Sequence, residues 1–348
     1  MKAAVLGHFG GEKTHLNGQT IKAKNLCDGL KEYTALDVEK INSYGWNRHP
    51  LRLLMQIRRG FRSCESVIML PAHKGLRVFA PILALFRKIY RKKIFYDVIG
   101  GWLPDMTAEK KRLAKTLKRF DGIWVETSTM ADRLKKQGFE NVQVVPNFKA
   151  LTIGSREALD DNLHRPLRLC IFSRVMREKG IETAVQMIRK INENVEKPLY
   201  QLDIYGPVQP EFREDFEKLR ASFPPEITYR GEAAPEKSPE VLRDYFALLF
   251  PTQFYTEGIP GTIIDAYAAG VPVICAKWES FSDVVDQGMT GLGYRFDDLA
   301  DMERVLLEVA KEPERILAMK EKCLERAVDF SPAVLQKIVR AVGAEPVA

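Results

Sequence analysis

The 348-residue chain combines 45% hydrophobic with 28% charged residues, the balance of a globular protein and not of a disordered or membrane-embedded one. Its length calls for two domains of about 150 residues each. Five cysteines, odd in number and widely spaced, exclude a disulfide or zinc framework and read as reduced core or helix residues.

Short apolar runs alternate with helical patterns along the chain, which predicts α/β architecture with parallel sheets covered by helices. The first strand is expected at Ala3 to Leu6. It is too short for a secretory core and lacks a cleavage pattern, so a cytoplasmic location is expected. Gly7-His8-Phe9-Gly10-Gly11 follows, and Asn17-Gly18-Gln19-Thr20 opens an amphipathic helix bearing Ile21, Leu26 and Leu30. The spacing is not the Gly-x-Gly-x-x-Gly dinucleotide fingerprint. Further strands are expected at Leu36 to Val38, Val67 to Leu70, Ile94 to Val98, Ile123 to Val125 and Val142 to Val145. The longest apolar run, Val78 to Phe86, is far below the roughly 20 residues that span a bilayer.

Between residues 151 and 165 the periodic pattern lapses into Gly, Ser, Asp, Asn and charge, which reads as a linker between domains at 1–150 and 166–330. The second half restarts with strands at Leu167 to Phe172, Leu202 to Tyr205, Ile227 to Tyr229, Ala247 to Phe250 and Val271 to Cys275. Helical patterns cover Leu299 to Ala310 and Pro313 to Val328. Ser331 as N-cap and Pro332 at the first position then restart a helix through residues 331–348.

Charge divides the chain. Residues 1–150 hold 28 basic against 13 acidic residues, a net of +15, whereas the remainder holds 25 against 33, a net of −8. Basic clusters occur at Arg58 to Arg62, Arg87 to Lys93 and Lys110 to Arg119. The middle cluster follows an apolar helix face of Phe79, Ile82, Leu83, Phe86 and Tyr90; such a helix can lie at an anionic membrane interface, although a core helix with a solvated basic end is the commoner case for an isolated stretch. No nucleic-acid-binding module is evident, so DNA or RNA is not expected as a partner.

Two stretches carry chemistry. Glu257-Gly258-Ile259-Pro260-Gly261-Thr262-Ile263-Ile264-Asp265 leaves a predicted strand and enters a helix that Gly270 and Pro272 stop. Backbone donors of Gly258, Ile259, Gly261 and Thr262 would face a bound anion at the helix N-terminus. The flanking carboxylates would repel an anion and suit hydroxyl donors instead. In Ser173-Arg174-Val175-Met176-Arg177-Glu178-Lys179-Gly180, two spaced cations stand at a strand end ahead of a helix, where open α/β sheets bind phosphates. Taken alone, each of these residues reads better as an ordinary loop acid or surface base.

Together they resemble glycosyltransferase family 4, the retaining transferases of the GT-B fold, of the type that builds bacterial cell-surface polysaccharides. The Glu-x7-Glu signature of that family is matched by Glu257 and Asp265, and its Arg-x4-Lys-Gly element by Arg174, Lys179 and Gly180. Ala268-Ala269-Gly270-Val271-Pro272-Val273, Leu202-Asp203-Ile204-Tyr205-Gly206, Tyr229-Arg230-Gly231 and Val145-Pro146-Asn147 extend the match. The resemblance implies two doubly wound Rossmann-like domains facing across a cleft, with the last helix returning to the N-terminal domain.

It also implies metal-independent transfer of a hexose from a nucleotide sugar, a UDP-sugar ahead of a GDP-sugar, to a saccharide acceptor. A lipid-linked acceptor on the inner face of the cytoplasmic membrane fits the basic N-terminal half. No cofactor and no metal site is expected. Arg174, Lys179 and Glu257 are the implied catalytic residues. Gly258, Ile259, Gly261, Thr262, Asp265 and Arg230 are the implied donor-binding set. Gly10, Gly11, Asn17, Gly18, Gly100 and Gly101 are the implied N-domain loops. The histidine that many members place after an N-domain strand is replaced here by Asp97-Val98-Ile99-Gly100-Gly101-Trp102. A sugar-nucleotide epimerase of the same fold, or a non-catalytic binding protein, are the alternative readings.

Overall fold

A computed structural model describes residues 1–11, 18–34, 36–160, 162–234 and 237–343. It divides into two compact units, one of Met1–Ala150 with Asp329–Ala348 and one of Leu151–Val328.

The first unit is built on a six-stranded parallel sheet of order β2-β1-β3-β4-β5-β6. Its strands are β1 (Lys2–Gly7), β2 (Asp37–Asn42), β3 (Ser66–Met69), β4 (Lys93–Asp97), β5 (Gly122–Val125) and β6 (Val142–Val144). The central strands are apolar over residues 3–6, 67–69 and 94–96 because both faces are covered, as parallel sheets require. On one face Ala4, Leu6, Met69 and Tyr96 pack under helices α2 (Pro50–Ser63) and α3 (His73–Tyr90). On the other, Ala3, Val5, Phe95 and Trp124 pack under α1 (Gly18–Tyr33) and the C-terminal segment, which contributes Leu335, Ile338 and Val339.

That C-terminal segment differs from the expected single helix. It is a 3-10 turn over Pro332–Leu335 followed by one α turn over Gln336–Val339, and the Ser331 side chain makes no cap. Tightening to 3-10 places Val334 and Leu335 together in the core. The segment is held by Gln143 Nε2 donating to Lys337 O (2.9 Å) and Lys93 Nζ to Ala341 O (3.2 Å).

A second correction concerns α3. Phe79 and Leu83 are buried, while Phe86 and Tyr90 pack against Phe61 of α2. The stripe expected at a membrane interface is therefore the core-facing side of the helix. No described helix is long and apolar enough to cross a membrane.

The second unit carries a parallel sheet of order β12-β11-β10-β7-β8-β9. Its strands are β7 (Leu167–Phe172), β8 (Tyr200–Tyr205), β9 (Ile227–Gly231), β10 (Ala247–Phe250), β11 (Val273–Lys277) and β12 (Gly291–Arg295). Leu169, Ile171, Leu202 and Ile204 on one face meet Val185 and Ile188 of helix Ile181–Glu193 and Leu306 of helix Leu299–Lys311. Strand β12 was not foreseen, because Gly291 and Gly293 dilute its apolar pattern. Both glycines are steric requirements: a Cβ at Gly291 would lie 2.3 Å from Val273 O, and one at Gly293 would lie 2.7 Å from the Phe281 ring.

The described residues of 151–165, expected as a linker, fall within this second unit. The Gly154 amide donates to Ala268 O (2.8 Å). Leu159 sits where any side chain at Gly270 would be. All five cysteines are buried and free of disulfides.

Candidate active site

The carboxyl ends of β7 and β10, neighbours in the second sheet, bring the two motifs together. After β7 the chain passes Ser173 and Arg174, makes a 3-10 turn over Arg177–Lys179, and enters helix Ile181–Glu193 through Gly180 at φ +70°. A Cβ at Gly180 would stand 1.9 Å from Pro251 O, so only glycine lets this turn lie on the β10 loop. The Gln253 amide fastens the two loops by donating to Glu178 O (2.8 Å). A matching approach holds the next loop, where Gly206 at φ +131° leaves no room for a Cβ beside Ser173 O.

This locking places Lys179 Nζ in an ion pair with Glu257 Oε1. Both side chains are largely withdrawn from solvent, at 13% and 17% exposure. The Lys179 ammonium also lies over the rings of Phe250 (5.4 Å) and Phe254 (5.2 Å). Thr252 Oγ1 donates to the same Glu257 oxygen at 3.3 Å. Arg174, on the same loop as Lys179, is exposed and makes no ion pair or side-chain hydrogen bond among the described residues. The site thus holds one paired and one unengaged cation.

Glu257 leads through buried Gly258 and Ile259 into helix Gly261–Ala268. The helix starts at Gly261 because Pro260, in extended conformation, supplies the carbonyl that the Ile263 (3.0 Å) and Ile264 (3.4 Å) amides reach. The amides of Gly261 and Thr262 have no acceptor among the described residues, and buried Thr262 Oγ1 likewise has no hydrogen-bond partner. The helix closes at Gly270 (φ +70°), with Val271 N donating to Ala266 O (2.8 Å) and Gly270 N to Tyr267 O (3.0 Å). Asp265, one turn in, is buried at 3% exposure.

Arg230 is placed elsewhere. It lies on β9, the edge strand, three positions across the sheet from β10. Its Nε bonds Asp203 Oδ1 at 2.9 Å, and that buried carboxylate also receives the Tyr245 hydroxyl at 2.7 Å. A fully buried carboxylate needs such counter-charge, so the structure engages Arg230 as the partner of Asp203.

In the first unit, Gly10 (φ +80°) and Gly11 follow β1, and Gly18 begins α1. Asn17 lies outside the described residues. Gly100 (φ +76°) follows β4; its amide reaches Glu126 Oε1 at 3.4 Å, and Gly101 is buried. Beside them sits a cluster that the sequence reading missed. Lys22 Nζ, fully enclosed, contacts Asp97 Oδ1 (3.1 Å), Glu126 Oε1 (2.8 Å) and Val98 O (2.6 Å).

Burial pushes Asp97 up to about 6, against the opposing pull of Lys22. Burial works against the Lys22 charge, but Asp97 and Glu126 prevail and hold its pKa above the ordinary value. The available signal was position: Lys22, Leu26 and Leu30 recur at helical spacing and are all buried, while Ile21 is half-exposed. An imidazole is also present near Trp102: His73, from the start of α3, stacks on its ring at 4.1 Å.

Residues 166–312 match the family model described as glycosyl transferases group 1. The D-inositol 3-phosphate glycosyltransferase of Corynebacterium kroppenstedtii is 24% identical over 200 residues, 56% of this chain and 44% of that protein. The chain is thus matched to less than half the length of that relative. Among solved structures, HepE of Anabaena in complex with UDP-glucose superimposes with a TM-score of 0.75 at 14% identity, covering 98% of this chain and 99% of that one. Sucrose-phosphate synthase of Thermosynechococcus elongatus gives 0.76 at 15%, with 98% of each chain covered. At such identities the likeness establishes the fold, which is GT-B with two Rossmann-like domains. The glycosyl transferases group 1 segment contains Arg174, Lys179, Glu257 and Asp265, whose geometry is given above.

Proposed function

We propose that the protein is a retaining, metal-independent hexosyltransferase that moves a sugar from a nucleotide-sugar donor, a UDP-sugar ahead of a GDP-sugar, to a saccharide acceptor. The observation that carries this reading is the convergence of Arg174, the Lys179–Glu257 pair and the N-terminus of helix Gly261–Ala268 at the ends of adjacent strands. A diphosphate needs cations and backbone donors, and a sugar needs a carboxylate beside them. All are present on two loops joined by the Gln253 amide and the close approach at Gly180.

In the proposed reaction the acceptor hydroxyl oxygen bonds to the anomeric carbon on the face from which the diphosphate departs. The bond from that carbon to the phosphate oxygen breaks, its electron pair stays on the diphosphate, and the acceptor proton passes to the leaving phosphate oxygen. Arg174 and Lys179 neutralise the charge that develops there, assisted by the Gly261 and Thr262 amides. When Lys179 turns to the diphosphate, Glu257 is released to accept hydrogen bonds from the donor sugar. Asp265 is assigned to the ribose hydroxyls.

The loops after β1 and β4 of the first unit, with the His73–Trp102 stack, are assigned to the acceptor. A lipid-linked saccharide at the cytoplasmic membrane, in polysaccharide or glycolipid assembly, suits the net charge of +15 on residues 1–150. Nucleotide release from a panel of UDP- and GDP-sugars, with and without membrane lipid extract, tests the reading. Release stimulated by extract supports transfer, and a donor isomerised without acceptor contradicts it.

A further inference from the structure

With the α3 stripe assigned to the core, the exposed apolar surface of the first unit lies elsewhere. Leu51 and Met55 on α2 are 73% and 66% exposed, and Leu85 and Ile89 on α3 are 56% and 60% exposed. The two helices are joined edge to edge, with Phe61 against Phe86 and Arg58 Nε donating to the Tyr90 hydroxyl at 3.1 Å. Each helix carries four basic residues and no acidic one. An ordinary solvated helix face mixes both signs of charge. Met55, Arg58, Arg59, Arg62 and Ser63 line a shallow depression of about 370 Å³. Among the described residues Arg52 and Arg62 have no ion pair, and Arg59 has only a long one to Glu39 at 3.8 Å.

We infer that the α2–α3 face is a docking surface for an anionic phospholipid bilayer. Protruding Leu, Met and Ile side chains interleaved with arginines that make no close ion pair among the described residues match an interface that offers acyl chains and phosphates at the same depth. A nucleic-acid backbone satisfies the arginines but leaves four apolar side chains without a partner. A second copy of the chain would set eight cations against eight. The inference rests on the transferase reading for its purpose, bringing the enzyme to a lipid-linked acceptor, and on the face itself for its evidence.

The test is co-sedimentation of the full chain with phosphatidylcholine vesicles, with and without about 30% phosphatidylglycerol. Wild type is expected on the anionic vesicles only, and to be released as salt rises from about 0.1 M to about 0.5 M. Each basic residue at an anionic surface contributes about fivefold. Arg58→Gln/Arg59→Gln/Arg62→Gln should therefore weaken partitioning roughly a hundredfold. Leu51→Ser/Met55→Ser should weaken it by about tenfold or more. Lys110→Gln/Lys111→Gln/Arg112→Gln, which removes equal charge elsewhere, should change it by no more than about threefold.

UDP binding, measured in parallel, should be the same for every variant. Equal binding to neutral and anionic vesicles overturns the inference. So do α2 variants that partition like wild type, or a wild type that prefers a duplex oligonucleotide to anionic vesicles at equal salt. Absence of UDP binding with intact vesicle binding would sink the donor-site reading alone.

Discussion

Lys179 and Glu257 form an ion pair across two loops, although 78 positions separate them in the chain. Neither side chain chooses its partner by local sequence. Gly180 against Pro251 O, and the Gln253 amide on Glu178 O, fix the loops first. The pair is then the arrangement that satisfies two charges largely removed from water.

Breaking the pair from either side should have different consequences for turnover. Lys179→Ala removes a cation from the proposed diphosphate site, so kcat/KM should fall by about 10²–10³. Glu257→Gln keeps the shape and leaves Lys179 without its carboxylate; donor diphosphate should then bind as well or better while kcat falls. Steady-state kinetics against donor concentration separate the two. Identical KM and kcat changes for both variants would contradict the assigned division of labour.

Arg174→Ala offers the cleaner separation of function from fold. The side chain is exposed and makes no ion pair among the described residues, so its removal should alter stability by no more than about 0.5 kcal/mol. Nucleotide release should nonetheless drop by about 10²–10³. A thermal melt and a turnover assay on the same preparation check both halves. Near-normal turnover would remove Arg174 from the mechanism.

Much of this site was legible in sequence because its chemistry is compact along the chain. Arg174 to Gly180 and Glu257 to Asp265 each read as strand end, loop and helix start, and the helix closes at Gly270 as its sequence implies. Features made by distant residues were not legible. Lys22 meets Asp97 and Glu126 across gaps of 75 and 104 positions, and Arg230 finds Asp203 across a strand pairing. Strand β12 escaped because glycines chosen for close packing carry no apolar signal. The α3 stripe was ambiguous for a related reason: periodicity shows that a helix has an apolar face but not whether protein or lipid covers it.

The glycine at the β7 turn should be irreplaceable, and a second glycine serves as control. Gly180→Ala meets both a left-handed backbone and a carbonyl 1.9 Å away, so the β10 loop must move. A loss of about 3 kcal/mol or more is expected, with loss of UDP binding. Gly45 has a similar φ of +65° but nothing within 4 Å of a Cβ. Gly45→Ala should cost only about 1 kcal/mol. Denaturant melts of both variants measure the difference, and equal losses would show that backbone conformation alone matters at Gly180.

The Lys22 cluster predicts a pH dependence of stability with a definite sign. In the folded protein Asp97 titrates at about 6, raised by burial from 3.8. Between roughly pH 4 and 6 the folded state therefore holds a proton there that the unfolded chain has released. The contribution of this group declines as pH rises through that window and is constant above it. Lys22 acts at the opposite end: its raised pKa stabilises the fold at neutral pH, and that contribution is lost only as pH rises through the folded value, above 10.5.

Asp97→Asn removes the acid-side decline and leaves Lys22 with Glu126 and Val98 O. The measurement is unfolding free energy at steps from pH 4 to 7.5 for wild type and variant, taken as a difference so that other groups cancel. That difference should shift by about 1–3 kcal/mol in favour of the variant as pH rises from 4 to 6 and then level off. Parallel profiles would mean that Asp97 is ionised throughout, with Lys22 holding its charge against burial.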